Sequence, residues 1–464
     1  MRQLSGALVL VLGIGESGLA MARWCAHAGA RLRVVDSRAA PPMLDALKAH
    51  IPAAEVRTGG FAASLLDGVD VLALSPGIDA RESIVAEARA RGIPVIGEMT
   101  LFADALQQLG ARHGSCIVAI TGTNGKTTTT ALTVHLLRGA GMDAVAAGNI
   151  SPAALAVLLD RLADGQPLPD CWVLELSSFQ LETVEGLNAD AAAVLNVSED
   201  HLDRHGSLQA YAAIKSRIYD GDGVQVINRD DALCADMVKP GRSVIGFCAA
   251  TPQPGDLGLS AEGDEAWLMQ GTTRLLPQSE LGIAGRHNAL NALAALALGR
   301  AVGAEMTPMI EALRSFRGLP HRVEPVARRS DGVVFYDDSK GTNVASTVAA
   351  VEGLGRPVVL IAGGDGKGQD FGPLAAVAVR HARSVLLIGR DAPRIEAALR
   401  AVGVSCERAD SLEGAVSRAN ALARAGDAVL LSPACASLDM FRNYVHRAEV
   451  FVAAVRALPE LEAA

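Results

Sequence analysis

The chain has 464 residues and a formal net charge of −9. That length suggests about three domains, and that charge opposes the broad phosphate-tracking surface of a nucleic-acid binder. Half of the residues are hydrophobic but only 3% are aromatic, and the seven cysteines are odd in number with no CxxC pair. This is globular composition with little for base stacking, no disulfide framework or zinc site expected, and a reduced cytoplasm as the fitting compartment.

Arg2 followed by the apolar run 7–15 imitates a signal peptide. The run is short, however, and passes directly into GIGESG and a helical pattern, so a buried first strand is expected. No apolar stretch approaches the roughly 20 residues of a membrane span, so no membrane insertion is expected.

The first unit, 1–97, alternates strands and helices: a strand over 7–12, a helix over 18–28, and strands over 31–35 and 69–74. The last strand stops at Ser75, Pro76 and Gly77. Such alternation predicts a parallel, helix-covered sheet. GIGESG (13–18) follows the first strand, and Asp36 ends the second. That pattern is the dinucleotide fingerprint, which admits an NAD-dependent oxidoreductase. The same Gly-rich turn would serve any nucleotide diphosphate.

The second unit, 98–318, opens its chemistry with AITGTNGKTTTT (119–130), placed between a strand over 116–120 and a helix over 127–140. Gly122 and Gly125 would let the N–H groups of Thr123, Asn124 and Thr128 approach phosphate at a helix N-terminus. Lys126 would contact the outer phosphates, and the Thr127 hydroxyl would ligate magnesium. The GxxGKT spacing is tighter than the usual phosphate loop.

Further strands are expected over 171–176 and 191–197. Glu175 ends the first of them, in LELSSFQLE. A glutamate there is ordinarily solvated, but beside a phosphate loop it becomes a hard oxygen ligand for the same cation. NVSEDHLDRHGS (196–207) gathers Asp200, His201 and Asp203 beyond a buried strand, either as metal contacts or as a helix cap and surface residues. Lys215 lies in an amphipathic helical stretch, where a lysine is ordinarily a solvated face. The Gly-, Pro- and Asp-rich stretch 222–280 reads as a side layer of short strands, and a helix returns over 287–302.

The third unit, 319–464, has strands over 333–336, 357–362, 384–388 and 428–431, each ending in polar or Gly-rich sequence. Ligands bind at such carboxyl ends in open α/β sheets. GLPHRVE, YDDSKGTN, GGDGKG and LSPACAS bring His321, Arg322, Asp338, Lys340 and Lys367 to those ends, where a nucleotide and an acidic amino acid could bind.

Together LELSSFQLE, NVSEDHLDRH, GRHNALNALAA, GLPHRVE, DDSKGTN and LSPACASLDMF resemble, in order and over nearly the whole chain, the Mur ligases of peptidoglycan synthesis. The resemblance implies an α/β fold of three domains. These are a Rossmann-like UDP-binding domain, a central phosphate-loop ATPase domain with a small side sheet, and a Rossmann-like domain that admits the amino acid. It implies ATP with two magnesium ions, and catalytic positions at Lys126, Glu175, His201 and Lys215. Lys215 would be carbamylated on its amine and would join Thr127, Glu175 and His201 around the metal.

Asn288, Arg322 and Asp338 match ATP contacts. Glu16, Ser17, Asp36, Ser37, Arg38, Ser75 to Gly77 and Asn149 match contacts to the UDP-linked substrate. Thr342, Lys367, Ser437, Leu438 and Tyr444 match a glutamate pocket. Ser37 stands where a relative has Thr and keeps the hydroxyl; Tyr444 stands where it has Phe and adds one.

The resemblance favours the glutamate-adding member, a monomer that would join D-glutamate to UDP-N-acetylmuramoyl-L-alanine through an acyl phosphate. A folylpolyglutamate synthetase or another Mur-type ligase is the nearest alternative. A non-catalytic nucleotide-binding module is the bland one.

Overall fold

In a computed structural model, which describes residues 3–262, 265–459 and 461–463, the alternating pattern resolves into three β-sheets. Arg2 lies outside the described residues. The first sheet is wholly parallel, in the order Glu55–Thr58, Arg31–Asp36, Leu8–Leu12, Val71–Leu74, Val95–Ile96. The strand order reverses at Leu8–Leu12. The crevice beyond that strand's carboxyl end is therefore the expected ligand position, and GIGESG occupies it.

The second sheet has a parallel body in the order Val244–Phe247, Val224–Asn228, Ala191–Val194, Cys116–Thr121, Cys171–Glu175, Ala144–Gly148. The side layer expected over 222–280 is narrower than the sequence suggests. Val224–Asn228 and Val244–Phe247 belong to the parallel body, because Val226 and Ile227 are buried on both of its faces. Only Leu257–Glu262, Glu265–Gln270 and Thr273–Pro277 form an antiparallel meander. One parallel pair, Phe247 with Leu257, joins it to the body.

The third sheet runs Cys406–Arg408, Ala382–Ile388, Val358–Gly363, Ala428–Leu431, Val334–Asp337 in parallel. Two antiparallel edge strands follow, Glu324–Arg329 and Leu461–Ala463.

One continuous apolar core joins the first two sheets. Trp24 on helix Glu16–His27, Phe102 on helix Glu98–Gln108 and Trp172 of the central sheet all belong to it. Phe102 meets Trp172 edge to face at 4.9 Å, a favourable geometry for two aromatic quadrupoles. The third sheet has its own core on each face. From outside that sheet, Ala284 packs against the first of these cores.

Candidate active site

The central feature begins where strand Cys116–Thr121 gives way to helix Lys126–Gly139. Gly125 caps that helix at φ +82, and a Cβ there would lie 2.5 Å from Asn291 Oδ1. Both backbone angle and space therefore demand glycine. The loop between is held from behind. Thr123 N–H donates to Asn196 O at 2.9 Å and Asn124 N–H to Asn196 Oδ1 at 2.8 Å. Asn196 lies past the observed end of strand Ala191–Val194; the expected strand over 191–197 stops early because these residues turn to clasp the loop.

Lys126 Nζ donates to Gly122 O at 2.9 Å and Thr123 O at 2.8 Å. Burial holds its pKa below the ordinary lysine range, with Glu175 pulling the other way. Thr127 lines the same cleft, a cavity of about 750 Å³ bounded also by Asn149, Glu175, Arg322 and Asp338.

Glu175 ends strand Cys171–Glu175 and is buried. Its Oε1 accepts from Asn149 Nδ2 at 2.6 Å, while Oε2 has no hydrogen-bond partner among the described residues. A buried carboxylate oxygen left unpaired is costly, and on a residue that lines a cleft with Thr127 it suits a hard divalent cation. These residues fit magnesium.

His201 and Lys215 are placed differently. Asp200, not His201, lines the cleft. His201 is turned against the Phe179 ring at 4.8 Å, and burial lowers its pKa. Lys215 is buried behind the loop, where Nζ donates to Gly122 O at 2.9 Å over the Tyr211 ring. Its helix face is therefore inward, not solvated. Among the described residues no carboxylate lies within ion-pair reach, and burial with the nearby Lys126 charge drives its pKa well below the usual value.

Across the cleft, the Arg322 guanidinium makes no hydrogen bond among the described residues. Burial lowers its pKa against the opposing pull of Glu175 and Asp338. Lys340 lies over the Tyr444 ring at 3.8 Å. Asp338 accepts from Ser432 Oγ at 2.7 Å, and burial pushes its carboxyl up to about 7. Asn288 Oδ1 accepts from Asn291 Nδ2, and Asn291 Oδ1 from Thr129, which braces the phosphate-loop helix. A cleft with several desolvated cations and one unpaired carboxylate oxygen can hold a polyphosphate with its metal.

Thr342 and Tyr444 line this cleft, whereas Lys367, Ser437 and Leu438 do not. Lys367 and Ser437 sit on two neighbouring loops, joined by paired backbone hydrogen bonds between Asp365 and Ala436. Lys367 and Leu438 are exposed and Ser437 is buried. His321 Nδ1–H donates to Asp337 Oδ2 at 2.7 Å.

At the first sheet, a Cβ on Gly18 would fall 1.9 Å from Gly13 O, so the helix packs directly on the turn. Asp36 is fully buried. It accepts from Ile14 N–H at 2.7 Å and from the Arg38 guanidinium at 2.7 and 2.9 Å, and Arg38 holds its carboxyl down to about 2. In the oxidoreductase reading this acid would face a ribose hydroxyl. Here Arg38 takes its place, more than half exposed, beside exposed Ser37. Ser75 Oγ donates to Gly13 O, leaving Pro76 partly exposed and Gly77 exposed at the same sheet edge. Glu16 accepts from Ser151 Oγ at 2.6 Å, and Ser17 hydrogen-bonds Glu98.

Four positions escape the sequence reading. Asn196 clasps the phosphate loop. Asn343 and Ser346 reach it from the third unit. Arg447, fully buried, donates to Ser339 O at 2.8 Å and Cys435 O at 3.1 Å, fixing DDSKGTN on LSPACAS. Only Asn343 carries a local signal, as an N-cap residue before helix Val344–Gly353.

Comparison with known proteins agrees with this arrangement. Residues 7–97 match the Mur ligase MurD-like N-terminal domain, 120–299 the Mur ligase middle domain and 321–435 the Mur ligase glutamate ligase domain. The chain is 63% identical over 465 residues to UDP-N-acetylmuramoylalanine–D-glutamate ligase of Aromatoleum aromaticum, covering 100% of both chains. It is 56% identical to the enzyme of that name from Nitrosospira multiformis, covering 98% of this chain and 96% of that one. Among solved structures, MurF from Acinetobacter baumannii superposes with a TM-score of 0.61 at 17% identity, covering 98% of this chain and 91% of that one. UDP-N-acetylmuramate-alanine ligase from Thermotoga maritima gives 0.58 at 20%, covering 97% and 99%; both show a shared fold.

Proposed function

The chain belongs to the Mur ligase family, and from that premise we propose that it adds D-glutamate to UDP-N-acetylmuramoyl-L-alanine at the expense of ATP, in peptidoglycan precursor synthesis. The observation that carries the chemistry is the cleft itself. Lys126, Arg322 and Lys340 line it together with Glu175, whose Oε2 is unpaired among the described residues.

A free carboxylate is a poor electrophile. The substrate's alanyl carboxylate attacks the γ-phosphorus of ATP, ADP leaves, and an acyl phosphate forms. The amine of glutamate then attacks the acyl carbon, and the C–O bond to phosphate breaks. Lys126 and Arg322 balance charge on the transferring phosphoryl oxygens. Asn288 and Asp338 hold the nucleoside end, and the backbone N–H groups of 123–128 cradle the phosphates.

Magnesium, when bound, supplies further neutralisation of the phosphoryl oxygens; Thr127 and Glu175 would hold it, with His201 and a carbamylated Lys215 as further positions around two ions. The depressed pKa of Lys215 supports carbamylation. Carbon dioxide reacts with the neutral amine, forming the N–C bond and releasing one proton.

Glu16, Ser17, Ser37, Arg38, Ser75 to Gly77 and Asn149 bind the UDP-linked end. Asp36 serves that end by fixing Ile14 and Arg38. Thr342, Lys367, Ser437, Leu438 and Tyr444 receive glutamate, Lys367 closing over it with its own loop. The working units are 1–97, 98–318 and 319–464, in a cytoplasmic monomer. Among the described residues no helix is long and apolar enough to cross a membrane.

The test is phosphate release with UDP-N-acetylmuramoyl-L-alanine, ATP and each glutamate enantiomer. Release that requires the D enantiomer is expected. Equal release with L-glutamate, or none with either, overturns the assignment.

A further inference from the structure

At the opposite end of the central sheet from the phosphate loop lies a pair of groups that this chemistry does not use. Cys116 and Cys171 open the neighbouring parallel strands Cys116–Thr121 and Cys171–Glu175 and are register partners. Register partners project to the same face of a sheet, and both thiols pack into the same apolar core. The two side chains therefore lie side by side there. Strand partners stand roughly 4.8 Å apart, within the span of about 4.4–6.8 Å between Cα atoms that a disulfide bridges.

The two sulfurs are not equivalent. Cys116 is partly exposed, whereas Cys171 is buried. Arg112 stands beside Cys116, tied to Ser115 O at 3.1 Å and Asp190 at 2.9 Å. The adjacent Cys171 thiol holds the Cys116 pKa below its ordinary value against burial and the Asp190 charge, with Arg112 a lesser aid, while Cys116 and burial push the Cys171 pKa up. This is the division of labour of an attacking and a resolving cysteine. Cys406, also partly exposed, is paired in register with Val385 instead.

We propose that Cys116 and Cys171 are a redox-active dithiol that closes to an intramolecular disulfide when the chain meets hydrogen peroxide. The Cys116 thiolate attacks one peroxide oxygen, the O–O bond breaks, and protonation of the leaving hydroxide releases water and leaves a sulfenic acid. The Cys171 sulfur then attacks the Cys116 sulfur, the S–O bond breaks, and a second water leaves. The thiols lose two electrons in all, peroxide gains them, and two waters form. The new bond would staple the two strands that carry the phosphate loop and Glu175 at their far ends.

The experiment treats the full chain with peroxide, alkylates it in denaturant, counts thiols and maps peptides. A fall from seven free thiols to five is expected, with one linked peptide pair containing Cys116 and Cys171, and return to seven in dithiothreitol. Cys171→Ser should instead carry Cys116 as sulfinic acid, because nothing resolves the sulfenic acid. Should that variant fail to fold, phenylarsine oxide is added to the unaltered chain. It should protect both thiols from alkylation by bridging them with loss of one water. Seven thiols surviving peroxide, sulfinic Cys116 without a link in the unaltered chain, or an arsenical that protects neither thiol overturns the proposal.

Discussion

Asn124 of the phosphate loop accepts hydrogen bonds through Oδ1 from Ser346 Oγ at 2.6 Å and from Asn343 Nδ2 at 3.2 Å. Its backbone is held by Asn196 of its own sheet, and its side chain by the third unit. Asn343 Oδ1 also caps helix Val344–Gly353 by accepting from Ser346 N–H at 2.8 Å. The shape of the loop and the placement of the third sheet are therefore linked through three side chains.

If that link serves catalysis, Ser346→Ala should lower kcat/KM for ATP about five-fold, the equivalent of roughly 1 kcal/mol for one hydrogen bond. In a double-mutant cycle with Asn124→Ala, a coupling of about 0.5–1.5 kcal/mol is expected. Steady-state kinetics on the four proteins measure it. Additive losses would show that the contact carries no coupling.

Glu175→Gln keeps an acceptor for Asn149 but removes the charge at Oε2. Turnover should fall about 100-fold or more, and the magnesium concentration for half-maximal rate should rise. Stability in chelator should change little, since Oε2 has no hydrogen-bond partner to lose among the described residues. A lower melting temperature in chelator, with unchanged magnesium dependence, would assign the residue to the fold alone.

Lys215→Ala should lose nearly all ligation, and added formate or acetate should restore part of it by supplying the missing carboxylate. Intact-mass spectrometry of the unaltered chain in bicarbonate should show the carbamate. Full activity of the variant without any added acid would remove the modification from the mechanism.

Glu98 gives a pH signature of stability. Burial pushes its carboxyl up from 4.5 to about 7, against the hydrogen bond from Ser17. The folded chain thus keeps a proton that the unfolded chain releases above its lower value. This contribution is full below pH 4.5 and is lost as pH rises through 7. Glu98→Gln, neutral at every pH, should gain on the order of 2–3 kcal/mol over the unaltered chain at pH 8 and little at pH 4. Urea unfolding at both values decides it, and an equal effect at the two would exclude the titration.

The phosphate loop and Glu175 are legible in sequence because each is announced locally, by glycines before Lys-Thr or by an acid ending an apolar strand. Asn196 and Arg447 are not, since they act on residues 72 and 108 positions away. Ser346 meets Asn124 across 222 positions. Short strands such as Glu55–Thr58, or the Ala-rich Ala144–Gly148, lack a clear alternation and escape for that reason. The inward face of Lys215 escapes too, because an amphipathic helix shows its period but not which neighbour covers its polar side. Family likeness supplies His201 as a site position, yet the fold turns its ring onto Phe179 and puts Asp200 on the cleft wall.

The core shared by Trp24, Phe102 and Trp172 has a further consequence. Parting the first two sheets would expose that apolar surface at about 25 cal/mol per Å², so the interval from GIGESG to the phosphate loop is rigidly set. A nucleotide-sugar moored at one end of this interval must be of the right reach for its carboxylate to arrive at the other. On the proposed function the core would thus act as a length gauge, favouring a precursor whose span matches the interval between the two sites.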